Sequence, residues 1–273
     1  MIYFSQAGDA ETSVSFDLRD RGLLLGDGVF DTALVRNGHI IFKAAHLARL
    51  KRDAAAFEIA WPEADIAAAC DAVEGTGQSG ALRLTLSRGP SARGVATSTG
   101  QKPTVIAHLS PFDTALQRLP LRLQTSAIRR NETSPLSRHK TLAYLDNISA
   151  AQTARQAGYD DALFVNMAGH VSCGTIGNLF VRQGAEWVTP RIEAGVIPGI
   201  IRNWILDNAD RLGVPVMEAD LSLEDVLASD AVFMTNSLRL LCPVKAIDAR
   251  HYPADIPHTI ETALKAAIED HHD

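Results

Sequence analysis

Strand-period and helix-period segments follow one another along the 273-residue chain, but not in the regular strand–helix–strand order that builds a parallel sheet. Apolar alternation in DTALVRNGHIIF is interrupted by Asn37-Gly38, a hairpin signal. From His46 the spacing changes: Leu47, Leu50, Ala54 and Phe57 recur at helical period, which leaves Arg49, Lys51 and Arg52 available to other faces. A second helix is predicted over 64–73. The strands ALRLTLSRG and TVIAHLSPF then flank the turn-rich tract GPSARGVATSTGQKP. Such a mixture predicts an α+β fold.

The second half repeats the mixture. LPLRLQTSAIRR reads as a strand, and 143–157 as a helix stopped by Gly158. Two strand pairs follow, DALFVN with HVS and NLFVRQ with EWVTP. After Pro198-Gly199 come the helix IIRNWILDNADRL, the strand VPVMEA, a short helix in SLEDVLAS, the strand AVFMTN and the amphipathic helix HTIETALKAAIED. Alternation lapses near 111–118. We therefore expect an N-terminal subdomain over 1–112, a link over 113–118 and a C-terminal subdomain over 119–273, with a cleft between the subdomains.

Charge and apolar content exclude several classes. Net charge is -6 with scattered Lys and Arg, so no basic stripe is offered to nucleic acid and no polybasic patch to a membrane. No apolar run reaches the roughly 20 residues of a membrane span, and MIYFSQAGDAETS lacks the charged and apolar regions of a leader. A cytoplasmic protein is expected. Cys70, Cys173 and Cys242 are too few and too far apart for a disulfide framework or CxxC site. No metal site is predicted, and His271 and His272 would hold only adventitious metal.

A lysine in isolation is usually a solvated charge. In RHKTLAYLDN, however, Lys140 has company: DRGLLLGDGVFDT, AAHLARL, GYDDALFVNMAGHVS, GNLFV, VTPRIEAGVIPGIIR and TNSLRLLCPV. In this order the segments resemble the fold-type-IV pyridoxal-phosphate enzymes, which include aminodeoxychorismate lyase and the D-amino-acid and branched-chain aminotransferases. The resemblance runs from about Asp20 to Val244. It implies a two-subdomain fold with pyridoxal 5'-phosphate in the cleft, a homodimer, and Lys140 as the Schiff-base lysine. An amine whose pKa is lowered by partial desolvation could form that bond and later move a proton at the substrate Cα.

Further positions are carried over from the same resemblance. Arg49 matches the phosphate-binding arginine, whose guanidinium can form two parallel bonds to phosphate oxygens. Backbone N–H groups at Ile200 and Ile201, opening a helix after Pro198-Gly199, match the phosphate-binding helix start. Ile201 stands where the family usually has threonine, so a hydroxyl is lost there. Ser237 matches a hydroxyl residue on the same phosphate. Tyr144 resembles the tyrosine that bonds the cofactor's phenolic oxygen in branched-chain aminotransferases. Arg93, in SRGPSARG, aligns with an arginine that holds a substrate carboxylate in D-amino-acid aminotransferases, although Val95 replaces their neighbouring histidine.

Cys173 departs from the pattern. The family generally has a glutamate five residues before the asparagine matched by Asn178, and its carboxylate pairs with the protonated pyridine nitrogen. A neutral thiol is a weak donor and a weaker acceptor. Three readings stand: a carboxylate from elsewhere substitutes or the alignment is locally offset; Cys173 becomes a thiolate paired with the ring; or the reaction depends less on the ring as an electron sink. The lyase resemblance favours release of pyruvate and 4-aminobenzoate from aminodeoxychorismate. The alternatives are an aminotransferase for D-amino or branched-chain amino acids, and a homologue that binds the cofactor with little turnover.

Overall fold

The computed structural model describes residues 2–6, 16–97 and 100–270. The expectation of no leader rests mostly on positions outside the described residues. His271, His272 and two residues of the turn-rich tract, Ser98 and Thr99, also lie outside them.

The chain divides into two units, and among the described residues the first spans 2–113 together with His139–Ala143. Its sheet has the order β1-β5-β4-β2-β3, formed by β1 (Ile2–Gln6), β2 (Gly28–Arg36), β3 (His39–Ile40), β4 (Gly80–Ser87) and β5 (Thr104–Ser110). Only β1 and β5 pair in parallel. The predicted hairpin joins β2 to β3, with Asn37 and Gly38 at φ +49° and +84°, the left-handed pair that suits strand twist. A short helix α1 (Arg21–Leu25) precedes β2, and helices α2 (Lys43–Ala56) and α3 (Glu63–Glu74) follow the hairpin. Val29, Ala33 and Val35 of β2 pack with Leu50 and Ala54 of α2 and with Ile66, Ala69 and Val73 of α3. Each such Val, Leu or Ile side chain contributes roughly 1.5–3 kcal/mol when buried.

The second unit spans 114–138 and 144–270. Its strands are β6 (Leu121–Thr125), β7 (Asp161–Val165), β8 (Val171–Gly174), β9 (Asn178–Gln183), β10 (Glu186–Pro190), β11 (Val216–Ala219), β12 (Ala231–Asn236), β13 (Leu240–Ile247) and β14 (Arg250–His251). They form one sheet of order β11-β10-β9-β12-β13-β6-β7-β8, with β14 added beside β13. The helices are α4 (Leu145–Gln156), α5 (Ile200–Asn208), α6 (Leu223–Ala228) and α7 (His258–Glu269). Leu123, Leu163, Val165, Leu179, Val181, Val232 and Val244 are buried in its larger core. A smaller cluster joins Ala150 and Ala154 of α4 to Ala162, Phe164 and Cys173.

The mixed α+β character agrees with the sequence reading. Four elements were not predicted: β1, α1, β13 and the two-residue β14. β1 and α1 are short, and β13 carries Pro243, which pairs with Phe233 inside the sheet although proline reads against an interior strand. The unit boundary also differs from a simple cut near 113–118, because the five residues around Lys140 group with the first unit. Their backbone bonds explain this: Phe30 N–H donates to the Lys140 carbonyl at 2.9 Å, and Leu142 N–H donates to the Gly28 carbonyl at 2.9 Å. Among the described residues, no helix is long and apolar enough to cross a membrane.

Candidate active site

Lys140 lies in a short segment added to the edge of β2, where Val29 and Thr141 form an antiparallel bridge. Its Nζ sits 4.4 Å from the centre of the Phe30 ring, which also receives the Arg83 guanidinium at 3.7 Å. Phe30 points away from the α2 and α3 core because its strand neighbours Val29 and Asp31 face that core.

On the helix side, Asp31 is buried and accepts from Arg49 through Nε at 2.8 Å and Nη2 at 2.7 Å. His46 Nδ1 lies 2.7 Å from the same carboxylate. Burial alone would push the Asp31 carboxyl up, but the Arg49 and His46 charges reverse this and hold it far below the usual carboxylate range. Arg49 is thus a buried, doubly held guanidinium, not a residue turned to another face as its place outside the Leu47–Phe57 stripe suggested. The physical reason is Asp31, an inward-facing acid in an otherwise apolar strand alternation. That acid was a legible signal for a buried cation, and the reading of DTALV missed it.

In the second unit, the start of α5 meets β9 and the end of β12. Asn178 Nδ2 donates to the Ile197 carbonyl at 2.9 Å, and Asn178 pairs across the sheet with Thr235. A Cβ on Gly199 would lie 2.0 Å from Asn178 Oδ1, so this N-cap position has room only for glycine. No side chain caps α5, whose first turn includes Ile200 and Ile201. Thr235 Oγ1 is buried without a protein partner. Ser237 follows in the β12–β13 turn, which Asn236 Oδ1 closes by accepting from Leu238 and Arg239 N–H at 3.0 Å and 2.7 Å.

The remaining sequence candidates fall as follows. Tyr144 is the half-buried N-cap residue of α4. Arg93 is exposed in the loop after β4. Arg21 secures that loop by donating to the carbonyls of Gly94 and Val95, each at 2.8 Å. Cys173 is buried near alanines and Phe164, and its Sγ accepts from Ser172 Oγ at 3.6 Å. Asp161 is the buried acid among the described residues of this unit, but it lies in register with Leu163 on the other face of β7. Burial raises its carboxyl, which Thr175 partly offsets by donating to Oδ1. Asp161 accepts from Thr175, two residues beyond Cys173, and its Oδ2 lies against Gly174.

The sequence matches the family described as amino-transferase class IV over residues 28–247. The chain belongs to the class IV aminotransferase family. It is 29% identical to the aminodeoxychorismate lyase of Bacillus subtilis over 266 residues, covering 92% of this chain and 88% of that protein. It is also 27% identical to the D-alanine aminotransferase of Bacillus licheniformis, covering 92% and 91% of the two chains. Among solved structures, a candidate 4-amino-4-deoxychorismate lyase of Legionella pneumophila superposes with a TM-score of 0.88 at 28% identity, covering 97% of this chain and 99% of that one.

The fold is thus that of the fold-type-IV enzymes, whose cofactor is pyridoxal 5'-phosphate. The uncapped helix start, the glycine approach at Gly199 and the unpartnered Thr235 hydroxyl fit a phosphate group. The amine of Lys140 is half-buried, and its chemistry suits the aldehyde of such a cofactor. Cys173 presents a buried thiol that accepts from Ser172 Oγ.

Proposed function

We propose that the protein is a pyridoxal-phosphate-dependent lyase that releases pyruvate from 4-amino-4-deoxychorismate and leaves 4-aminobenzoate. The observation that carries this reading is the likeness to the Bacillus subtilis lyase along nearly the whole of both chains. Bound pyridoxal phosphate supplies an electron-withdrawing ring that stabilises negative charge at the amino-bearing carbon of the substrate.

Arg49, the first N–H groups of α5 and Ser237 hold the phosphate, Lys140 holds the aldehyde end, and Tyr144 borders the ring. Arg93 takes a substrate carboxylate, for which a guanidinium offers two parallel bonds. The Lys140 amine takes the proton from the amino-bearing carbon. The carbon–oxygen bond to the enolpyruvyl group then breaks with its electron pair going to oxygen, the ring becomes aromatic, and the proton passed to the CH2 carbon of the departing enolate gives pyruvate. Aromatisation supplies a downhill driving force that tolerates a weaker electron sink, in keeping with a thiol at Cys173.

The likenesses to a D-alanine aminotransferase and to a candidate branched-chain-amino-acid aminotransferase favour a second reading, transamination of D-amino or branched-chain amino acids. The two readings separate in one assay. Formation of 4-aminobenzoate without added 2-oxo acid supports the lyase, whereas turnover of alanine or leucine only with a 2-oxo acid supports transamination.

Cys173→Glu tests the missing carboxylate. Placing an acid there should raise the single-turnover rate with amino donors by about tenfold, the effect of roughly 1.4 kcal/mol in the barrier. An unchanged or lower rate in a folded, cofactor-loaded variant would rule against the account.

The working form is a cytoplasmic homodimer. Leu18, Leu23, Leu24, Leu25 and Val95 of the first unit are all more than half exposed, an apolar surface of the kind that protein contacts cover. Sedimentation should give twice the 29.4 kDa chain mass. A monomer at micromolar concentration would contradict the assignment.

A further inference from the structure

Helix α2 carries a buried acid of its own, one turn beyond Arg49. Asp53 is fully buried, and its Oδ2 accepts the backbone N–H of Lys140 at 2.9 Å. Its Oδ1 lies 2.8 Å from His139 Nδ1 and accepts from Arg52 Nε at 3.0 Å and Nη2 at 2.5 Å. The His139 ring also packs edge-on against Phe57, with centroids 5.4 Å apart.

We propose that Asp53 is a positioning residue for Lys140, fixing the backbone from which the lysine reaches the cofactor. The inference rests on the reading of Lys140 as the attachment residue. The segment His139–Ala143 is short, and one bridge to β2 gives it few bonds with which to offset roughly 1–2 kcal/mol of backbone entropy per residue. Asp53 adds charge-assisted bonds at the required point. The Lys140 amide is held by Asp53 while its carbonyl is held by Phe30, so both peptide groups of the residue are pinned. Arg49 and Asp53 are four residues apart and share one face of α2. One helix therefore sets both the guanidinium for the phosphate and the backbone of the lysine for the aldehyde. Holding reacting groups at a fixed separation raises their effective concentration.

The test compares apoprotein of wild type, Asp53→Ala and Asp53→Asn. Pyridoxal 5'-phosphate is added, and the growth of visible absorbance removable by borohydride is followed. Binding of pyridoxamine 5'-phosphate, which has no aldehyde, reads the phosphate end separately. Asp53→Ala should slow attachment by about 10–100-fold and change pyridoxamine 5'-phosphate affinity by less than about threefold. Asp53→Asn, which keeps one acceptor, should fall between.

Wild-type attachment rates in folded Asp53→Ala would overturn the proposal, as would equal losses in attachment and in pyridoxamine 5'-phosphate binding. If neither variant folds, amide exchange in the wild-type apoprotein decides. A Lys140 amide bonded to a buried carboxylate should exchange among the slowest of 138–144, and rapid exchange there would overturn the proposal. Absence of attachment in wild type would instead refute Lys140 as the attachment residue, leaving the exchange result to judge the Asp53 bond alone.

Discussion

Lys140→Ala should fold normally, lose borohydride-stable attachment of the cofactor and lose at least roughly four orders of magnitude in turnover. The fold should survive because the segment is held through its backbone. Alanine keeps the N–H donated to Asp53 and the carbonyl that accepts from Phe30. What is lost structurally is the ammonium contact with the Phe30 ring, worth about 0.5–1 kcal/mol at a half-exposed site. The chemical loss expected is far larger, because in the proposed reaction the amine both holds the aldehyde end and moves the proton. Melting temperature and a borohydride-trapping assay separate the two effects. A variant that still traps pyridoxal phosphate at wild-type stoichiometry would place attachment elsewhere.

Asp31→Asn should produce the largest loss of stability, about 3–5 kcal/mol, because it leaves the Arg49 guanidinium buried without its counter-charge. At roughly 2–4 °C per kcal/mol, the melting temperature should fall on the order of 10 °C. The pH dependence has a definite sign. The folded-state carboxyl is held far below its unfolded value of about 3.9, so its contribution is complete above that pH and is lost as pH falls below it. The stability gap between wild type and Asp31→Asn should therefore be wide at pH 7 and narrow progressively below about pH 4. A gap that stayed constant across that range would contradict the ion-pair account. Loosening Arg49 should also weaken pyridoxamine 5'-phosphate binding, whereas Asp53→Ala should leave it nearly unchanged.

Much of this was legible in the sequence because it depends on local period and turn chemistry. The Asn37-Gly38 hairpin, the helices around Leu50 and Ala150, and the uncapped start of α5 after Gly199 follow from short-range rules. β13 was not legible, since Pro243 argues locally against a strand that sheet partners on both sides sustain. Lys140 stood out through its motif company. Its grouping with β2 did not, because that depends on bonds between residues more than a hundred positions apart. The acids that organise α2 lay between these cases. Asp53 falls on the stripe with Leu50 and Phe57, and Asp31 on the inward face of β2. An acid on an apolar stripe announces a buried partner, but only the fold says that the partners are His139 and Lys140 for one and Arg49 and His46 for the other.

Cys173 sharpens the chemical question. The buried acid of its unit, Asp161, is bonded to Thr175, two residues beyond Cys173. The measurement that tests the central claim most directly is product formation by purified, cofactor-loaded protein given 4-amino-4-deoxychorismate and no 2-oxo acid. The account predicts equimolar 4-aminobenzoate and pyruvate, abolished by Lys140→Ala. Absence of both products, with alanine or leucine turned over once a 2-oxo acid is supplied, would contradict it.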